Sequence, residues 1–457
     1  MSTDTTTTSG DISEAAPPPV PLRRNWRFQA LWTGQAGATL GLHLADTAYP
    51  LLLLGLTGSS TLAGAFGALQ IGASVLFGIH GGVVADRHDR RRVLIAGDAV
   101  RLIACASVPL AMALDRLTVA HTLLVAVVIG ATIAYTGPVR LIAVRSVVPP
   151  EQLRQALAQD EARMSGAALV GPPLAGALLG LGRAAPFVGT AIASLLALTA
   201  ALLVRFPGRP EAPAGTGSAP GSRRGSRKGD PAGHGAKAGD GHGHGAKPGP
   251  DALAGYRHVV RDSLLRPVVT AVLLINVAAA AMLLPVMVVL RGQGTSSAGI
   301  GLALAGEAVG ALAGTLLVGR LHRYAGPGVL LLAVCWLTVP VTLAPLLPGG
   351  PVTVFAALFL VGLGIPTLRV MIDLLVFRQV PDALRGRVIA ATMTLFTVGM
   401  PAGTVGSGLL LDHFSPAVAL GAVAALLGAA LLPMTAGRAL RRATWPERAP
   451  EPATATA

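Results

Sequence analysis

Charge is scarce in this sequence. Acidic and basic residues make up only 13% of its 457 positions, 52% are hydrophobic, and mean hydropathy is +0.62. A soluble globular domain carries about 25% charge, so an ordinary soluble domain is excluded. Lysine is scarcer still. Of 36 basic residues only Lys228, Lys237 and Lys247 are lysines, and all three lie in one Gly/Pro-rich segment. Cysteine is limited to Cys105 and Cys335, each inside an apolar run. Two such thiols read as small packing residues, not as a disulfide. Aromatics, at 4%, leave little material for a cage around a quaternary cation. Residues 1–21 are polar and Pro-rich without an apolar core, so no cleavable signal peptide is expected. No nucleotide-binding loop, supported pair of catalytic carboxylates or nucleophile triad is visible. The expectation is therefore no enzyme, no ATP site, no cofactor and no metal.

What the chain has is apolar sequence in long blocks. They fall near 28–55, 62–84, 93–114, 118–138, 164–182 and 186–204, then near 264–290, 298–319, 328–347, 351–376, 388–411 and 416–436. About 20 apolar residues cross a bilayer as a helix, so the blocks predict twelve transmembrane helices in two sets of six. Between the sets, 206–252 is rich in Gly, Pro, Ser, Ala, Arg and His. It offers no core and reads as a disordered linker. Its His234, His242 and His244 lack a Cys or carboxylate framework, so it is not read as a metal site. The expected organisation is a disordered tail 1–21, a six-helix half 22–205, the linker 206–252, a second half 253–442 and a disordered tail 443–457.

The net charge of +14 raises the question of nucleic acid. The basic residues, however, sit in short gaps between apolar runs and form no soluble face, so no nucleic-acid partner is expected. They orient the bundle instead. With residue 1 in the cytoplasm, cytoplasmic segments hold 31 Lys or Arg and external turns hold three; without the linker the ratio is 20 to three. The positive-inside rule then places both termini in the cytoplasm. Heavy Ala, Gly and Arg usage points to a bacterial source, hence to a bacterial plasma membrane.

Polar groups within the spans are the candidates for function, because an ionisable group in hydrocarbon is costly. In the first run Gln35, Thr39, His43 and Asp46 fall on one helical face. This face is read as lining a central aqueous cavity, with Asp46 and His43 as candidate proton-coupling groups. The alternative is that Asp46 only locks packing against a neighbouring helix. Glu307 lies mid-helix among small residues and is either a proton carrier, a counter-ion for a cationic substrate or a partner of a buried Arg. Gln70, Tyr135 and Asn276 are further cavity candidates or plain interhelical hydrogen bonds. Asp98 with Arg101, and Asp373 with Arg369, are expected as intrahelical ion pairs.

One segment carries a family likeness. Gly82-Val83-Val84-Ala85-Asp86-Arg87-His88-Asp89-Arg90-Arg91-Arg92-Val93-Leu94 is a basic hinge between two apolar runs. It resembles the major facilitator superfamily signature between helices 2 and 3, G-x-L-a-D-r-x-G-r-k-x-x-l, at Gly82, Asp86, Arg87, Arg90, Arg91 and Leu94. Asp89 stands where the signature has its central Gly, a form similar to the drug and siderophore exporters that include enterobactin and macrolide efflux proteins. Arg24-Asn25-Trp26-Arg27-Phe28-Gln29-Ala30-Leu31-Trp32 is similar to that branch at the start of helix 1. Gly137-Pro138-Val139-Arg140 and Val148-Pro149-Pro150-Glu151-Gln152-Leu153 are similar to its helix 4–5 segment. Gly171, Pro172 and Gly176 resemble the helix 5 Gly-Pro motif of antiporters. The matching hinge in the second half, Gly319 to Gly326, keeps Arg320 and Arg323 but lacks the acid.

The resemblance implies an all-α membrane protein of the major facilitator fold, probing a central site by alternating access. It implies that Asp86 and Arg90 bridge to neighbouring cytoplasmic helix ends, near Arg387-Val388, and hold the outward-facing state. For Arg87, Arg91 and Arg92 the alternative is that, as in any basic turn, they mainly fix topology. The function it implies is a monomeric secondary transporter exporting a small amphipathic molecule (drug, siderophore or secondary metabolite) by proton antiport. Its partners are the lipid bilayer, a small-molecule substrate and protons, in the setting of efflux and multidrug resistance. The alternatives are a proton-coupled uptake symporter for a nutrient and, from another class, a non-transporting membrane sensor or assembly partner.

Overall fold

The computed structural model describes residues 21–205, 254–262, 265–324, 326–380 and 382–436. Residues 1–20, the linker 206–252 with its lysines and histidines, and the tail 443–457 lie outside the described residues. So do the side chains of Asp86, Arg369, Asp373 and Arg387.

The described chain is helical and contains no strand. In order, it forms α1 (Trp26–Thr57), α2 (Ser60–Arg87), α3 (Arg90–Ala113), α4 (Val119–Val147), α5 (Leu153–Leu181) and α6 (Ala185–Leu203). There follow α7 (Ala254–Arg261), α8 (Leu265–Gly292), α9 (Ser297–Tyr324), α10 (Pro327–Leu343), α11 (Gly350–Gln379), α12 (Asp382–His413) and α13 (Pro416–Ala436). Eleven of the helices are long and apolar enough to cross a membrane; α11 carries the shorter apolar stretch Gly350–Pro366. Helices dominate for a physical reason. In hydrocarbon every backbone N–H and C=O must be paired within the segment.

Side chains mark several helix starts. Asn25 accepts from the Phe28 amide, Ser59 from Leu62, Asp89 from Arg92 and Thr118 from His121. Gly58, in the left-handed region at φ 68°, ends α1 and allows the turn into α2.

Two boundaries differ from the hydropathy reading. α5 begins at Leu153, not near 164, and its first turns are polar (Gln155, Gln159, Asp160, Arg163). Hydropathy reports only the part of a helix inside lipid; the backbone ladder continues beyond it. The short helix α7 was not expected at all. It lays Val259 into the core of the second half while Arg257, Val260 and Arg261 stay exposed.

Consecutive spans alternate in direction. The chain start and the α2–α3, α4–α5, α9–α10 and α11–α12 turns therefore share one face, the terminal face. The α1–α2, α5–α6, α8–α9 and α12–α13 turns share the opposite face. The pairings α2/α4 and α1/α5 in the first half recur as α9/α11 and α8/α12 in the second. The halves meet along two seams, α2/α12 and α5/α9, which correspond when the halves are exchanged.

Glycines make both seams close. A Cβ at Gly64 would overlap the Thr404 carbonyl, and one at Gly408 would overlap Ser60. On the other seam a Cβ at Gly176 would overlap Ser297, and one at Gly301 would overlap Pro172. Such small residues let backbones approach where lipid gives no hydrophobic drive between helices. A core cluster also crosses the halves here, with Leu51 and Leu179 packed among Met282, Val286 and Leu290. All these contacts lie in the helix portions nearer the opposite face. The halves are thus joined at the opposite face.

Candidate functional site

The polar stripe on α1 divides between two neighbours. At the end nearer the terminal face, Arg163 of α5 reaches across. Its Nη1 donates to the Gln35 carbonyl at 3.0 Å and to Thr39 Oγ1 at 2.5 Å. Its Nε and Nη2 hold Asp160 Oδ1 at 3.0 and 2.7 Å. Trp32 Nε1 donates to the Gln159 carbonyl at 3.2 Å one turn lower. The Thr39 side chain and the Gln35 backbone carbonyl are therefore engaged in fastening α1 to α5. Arg163 is buried and was not singled out from sequence, where it counted only as one more basic residue near a helix end.

Farther along α1 the arrangement opens. His43 packs its Cβ on Gly171, where any side chain would overlap it. Asp46 lies one turn on. Its Oδ1 accepts from Gln70 Nε2 of α2 at 3.0 Å, and its Oδ2 lies 3.9 Å from His43 Nδ1. The Asp46 side chain is 40% exposed and that of His43 is 31% exposed. Gln70 is 5% exposed, and its Oε1 has no hydrogen-bond partner. Of the four residues that sequence put on one face, His43 and Asp46 come together here, and the fold adds Gln70 from α2.

Glu307 belongs to the second half. The row Gly306, Gly310 and Gly314 packs on the carbonyls of Phe355, Phe359 and Leu363 in α11. Glu307 stands beside that row and is exposed. Leu316, half a turn round the helix, and Leu302 are exposed on the outer side. Ile300, two turns earlier on the Glu307 side, is buried in the cluster that joins the halves. Glu307 is therefore turned toward the interior of the bundle.

The remaining candidates separate. Asn276 donates to the Val272 carbonyl of its own helix at 2.9 Å. Tyr135 bonds His80 Nδ1 at 2.7 Å. His80 shares a side of α2 with exposed Leu69, Leu76 and Val83, and Tyr135 shares a side of α4 with exposed Leu124. This corrects the cavity expectation for Tyr135, because the close α2/α4 packing turns it to the outer surface. The intrahelical pair Asp98–Arg101 is also corrected. Asp98 pairs with Arg140 of α4, while Arg101 donates to Thr132 at 3.1 Å and Thr136 at 3.4 Å. The two α4 threonines engage the Arg101 guanidinium, and Arg140 takes its place at Asp98. A separate crevice of roughly 130 Å³ between α8, α12 and α13 is lined by groups such as Leu274, Val277, Leu410 and Leu427 and holds none of these acids.

A profile of the Major Facilitator Superfamily matches residues 31–404. The chain belongs to the major facilitator superfamily. It is a multi-pass membrane protein of a transporter family. Macrolide efflux protein A of Streptococcus pyogenes is 26% identical over 156 residues, which is 34% of this chain and 38% of that protein. The match thus spans well under half of the relative's length. Among solved structures, the nucleoside transporter NupG superposes with TM-score 0.64 at 14% identity, covering 90% of this chain and 98% of that one. A bacterial homologue of the iron transporter ferroportin, in an inward-facing state, gives 0.62 at 17% identity over 92% and 100%. A bacterial homologue of the human lysosomal transporter Spinster, also inward-facing, gives 0.63 at 15% identity over 90% and 93%. At these identities the likeness is one of fold.

The superfamily hinge is built as follows. Gly82, Asp86 and Arg87 lie in α2, with Arg87 exposed in its last turn. Asp89, where the signature has Gly, is the N-cap of α3 and accepts from the Arg92 amide at 3.1 Å. The departure from the signature thus supplies a cap. Arg90 Nε donates to the Ala85 carbonyl at 3.4 Å. Arg91 donates to Leu202 and Val204 carbonyls at 2.8 and 3.3 Å. Arg91 therefore caps the C-terminus of α6, where a cation is favoured. The helix 5 motif also has two tasks. Gly171 admits His43 from within the half, while Pro172 and Gly176 admit α9 from the other half.

Proposed function

We propose that this superfamily member is a secondary active exporter of small amphipathic molecules, driven by proton antiport in a bacterial plasma membrane. The observation that carries the reading is Asp46. It is a half-open carboxylate in the middle of a spanning helix, held by a neutral amide and a histidine and not by an arginine. Such an acid can be charged while water reaches it, and its neutralisation removes the cost of carrying charge through a closed state. Glu307 is a second acid on the interior side of the other half. The basic residues, 20 to three outside the linker, put the terminal face in the cytoplasm. Joined at the opposite face, the halves then form an inward-open state, into which a cytoplasmic substrate enters. Rocking of the halves about this centre exposes it outward, where protons displace the substrate. Efflux is favoured over uptake by the Asp89 form of the hinge and by the partial match to a macrolide efflux protein.

The test is a panel of amphipathic compounds, macrolides included, loaded on the cytoplasmic-face side of proteoliposomes. An imposed pH gradient should drive at least one of them uphill, and collapse of the gradient should stop it. Accumulation in the direction of the proton flux would convert the reading to symport. No gradient dependence for any compound would remove proton coupling.

A further inference from the structure

The α2/α12 seam carries a polar contact that the export reading does not use. Asp412 lies in the last turn of α12 and meets the first turn of α2, some 350 residues away in sequence. Its Oδ1 accepts from the Ser60 amide at 2.6 Å. Its Oδ2 accepts from the Thr61 amide at 3.1 Å and from Ser59 Oγ at 2.9 Å. Ser59 is at the same time the N-cap of α2, accepting from the Leu62 amide at 3.3 Å. The first amides of a helix have no partner within it, and its dipole favours an anion there. α2 therefore takes its own cap from Ser59 and a second, charged cap from the other half of the protein.

The surroundings make this contact depend on the state of the seam. Gly408 lies on Ser60 and Thr61, and Gly64 lies on Thr404, with no room for a side chain at either glycine. The three hydrogen bonds exist only while these backbones touch. Opening the opposite face withdraws the end of α12 and returns the Ser60 and Thr61 amides to water.

We propose that Asp412 is a latch that holds the opposite face closed and sets the balance between the two openings of the transporter. The proposal is independent of what is carried and in which direction.

The experiment uses the full chain in lipid nanodiscs with pairs of spin labels. Labels at Arg183 and Gln293 span the other seam at the opposite face, and labels at Arg92 and Arg266 report the terminal face. In Asp412→Ala the ratio of long to short Arg183–Gln293 distances should rise at least about fivefold, with Arg92–Arg266 distances shortening in step. Asp412→Asn keeps an acceptor for Ser60 and should shift the ratio less, in the same direction. Asp115→Ala removes an exposed acid in the α3–α4 turn of the same face and should leave it unchanged. An unchanged ratio in Asp412→Ala, or an equal shift in Asp115→Ala, overturns the latch. Should Asp412→Ala not fold, Asp412→Asn and Ser59→Ala decide the matter, and no shift in either overturns it.

Discussion

Two acids in the first six helices sit in opposite kinds of company. Asp98 of α3 is 1% exposed and faces Arg140 of α4, beside Arg101 and its two threonines. Asp46 of α1 has a side chain 40% exposed and faces Gln70 and His43. An arginine fixes a carboxylate in its charged form, because leaving either partner alone in a low-dielectric interior is costly. A neutral amide imposes no such choice. The first site is suited to holding two helices together through a transport cycle. On the antiport proposal, the second is the one that changes charge during the cycle. Position in a membrane helix is thus not enough to mark a functional acid; the partner decides.

The largest effect expected from this contrast is on folding. Asp98→Ala strands Arg140 in the bundle and should cost about 3–5 kcal/mol, read as a large fall in melting temperature or loss of folded protein. Replacing both partners with apolar residues of similar size should recover much of that loss. A single mutant as stable as wild type would dissolve the distinction. Asp46→Asn should do the reverse. Uphill efflux should fall at least about tenfold, with a stability change under about 1 kcal/mol and counterflow retained. Equal loss of uphill efflux and counterflow, together with low yield, would place Asp46 with Asp98 as a packing acid. Glu307→Gln, measured in the same two assays, sharpens the comparison between halves. If it and Asp46→Asn both pump uphill at wild-type rates, singly and combined, neither acid carries the proton.

A smaller effect is expected at the close seams. Gly301→Val should hinder closure of the opposite face, since its side chain meets the Pro172 carbonyl. Transport should fall several-fold while thermal stability changes by about 1–3 kcal/mol. Wild-type transport would show that the seam does not need this approach. The smallest effect belongs to Arg91→Ala, which removes the cap on α6 and should cost about 1 kcal/mol with transport otherwise intact. A transport loss far beyond that destabilisation would give Arg91 a part in gating as well as in holding α3 to α6.

Much of the architecture was legible because the bilayer imposes a length and a solvent on each span. The blocks near 28–55 and 416–436 became α1 and α13 within two residues at each end. The polar turns of α5 and the short α7 were not legible, since neither is built from lipid-facing sequence. At the site, the spacing of His43 and Asp46 showed a shared face, but not that Arg163 takes up Thr39 and the Gln35 carbonyl. Tyr135 looked the same as Gln70 in a sequence of apolar neighbours, and only the α2/α4 packing turned one outward and the other toward Asp46.

By itself the sequence determined that this is a helical membrane protein with a superfamily hinge and few acids in its spans. Composition, block length and local motif suffice for that, because each depends on a residue and its near neighbours. Tertiary structure alone decided the pairing of those acids: Asp98 with Arg140, Asp46 with Gln70, and Asp412 with Ser59, Ser60 and Thr61. Each partner comes from another helix, in the last case from the other half of the chain. A carboxylate's charge state and mechanical role follow from what faces it in space, which spacing along one helix does not specify.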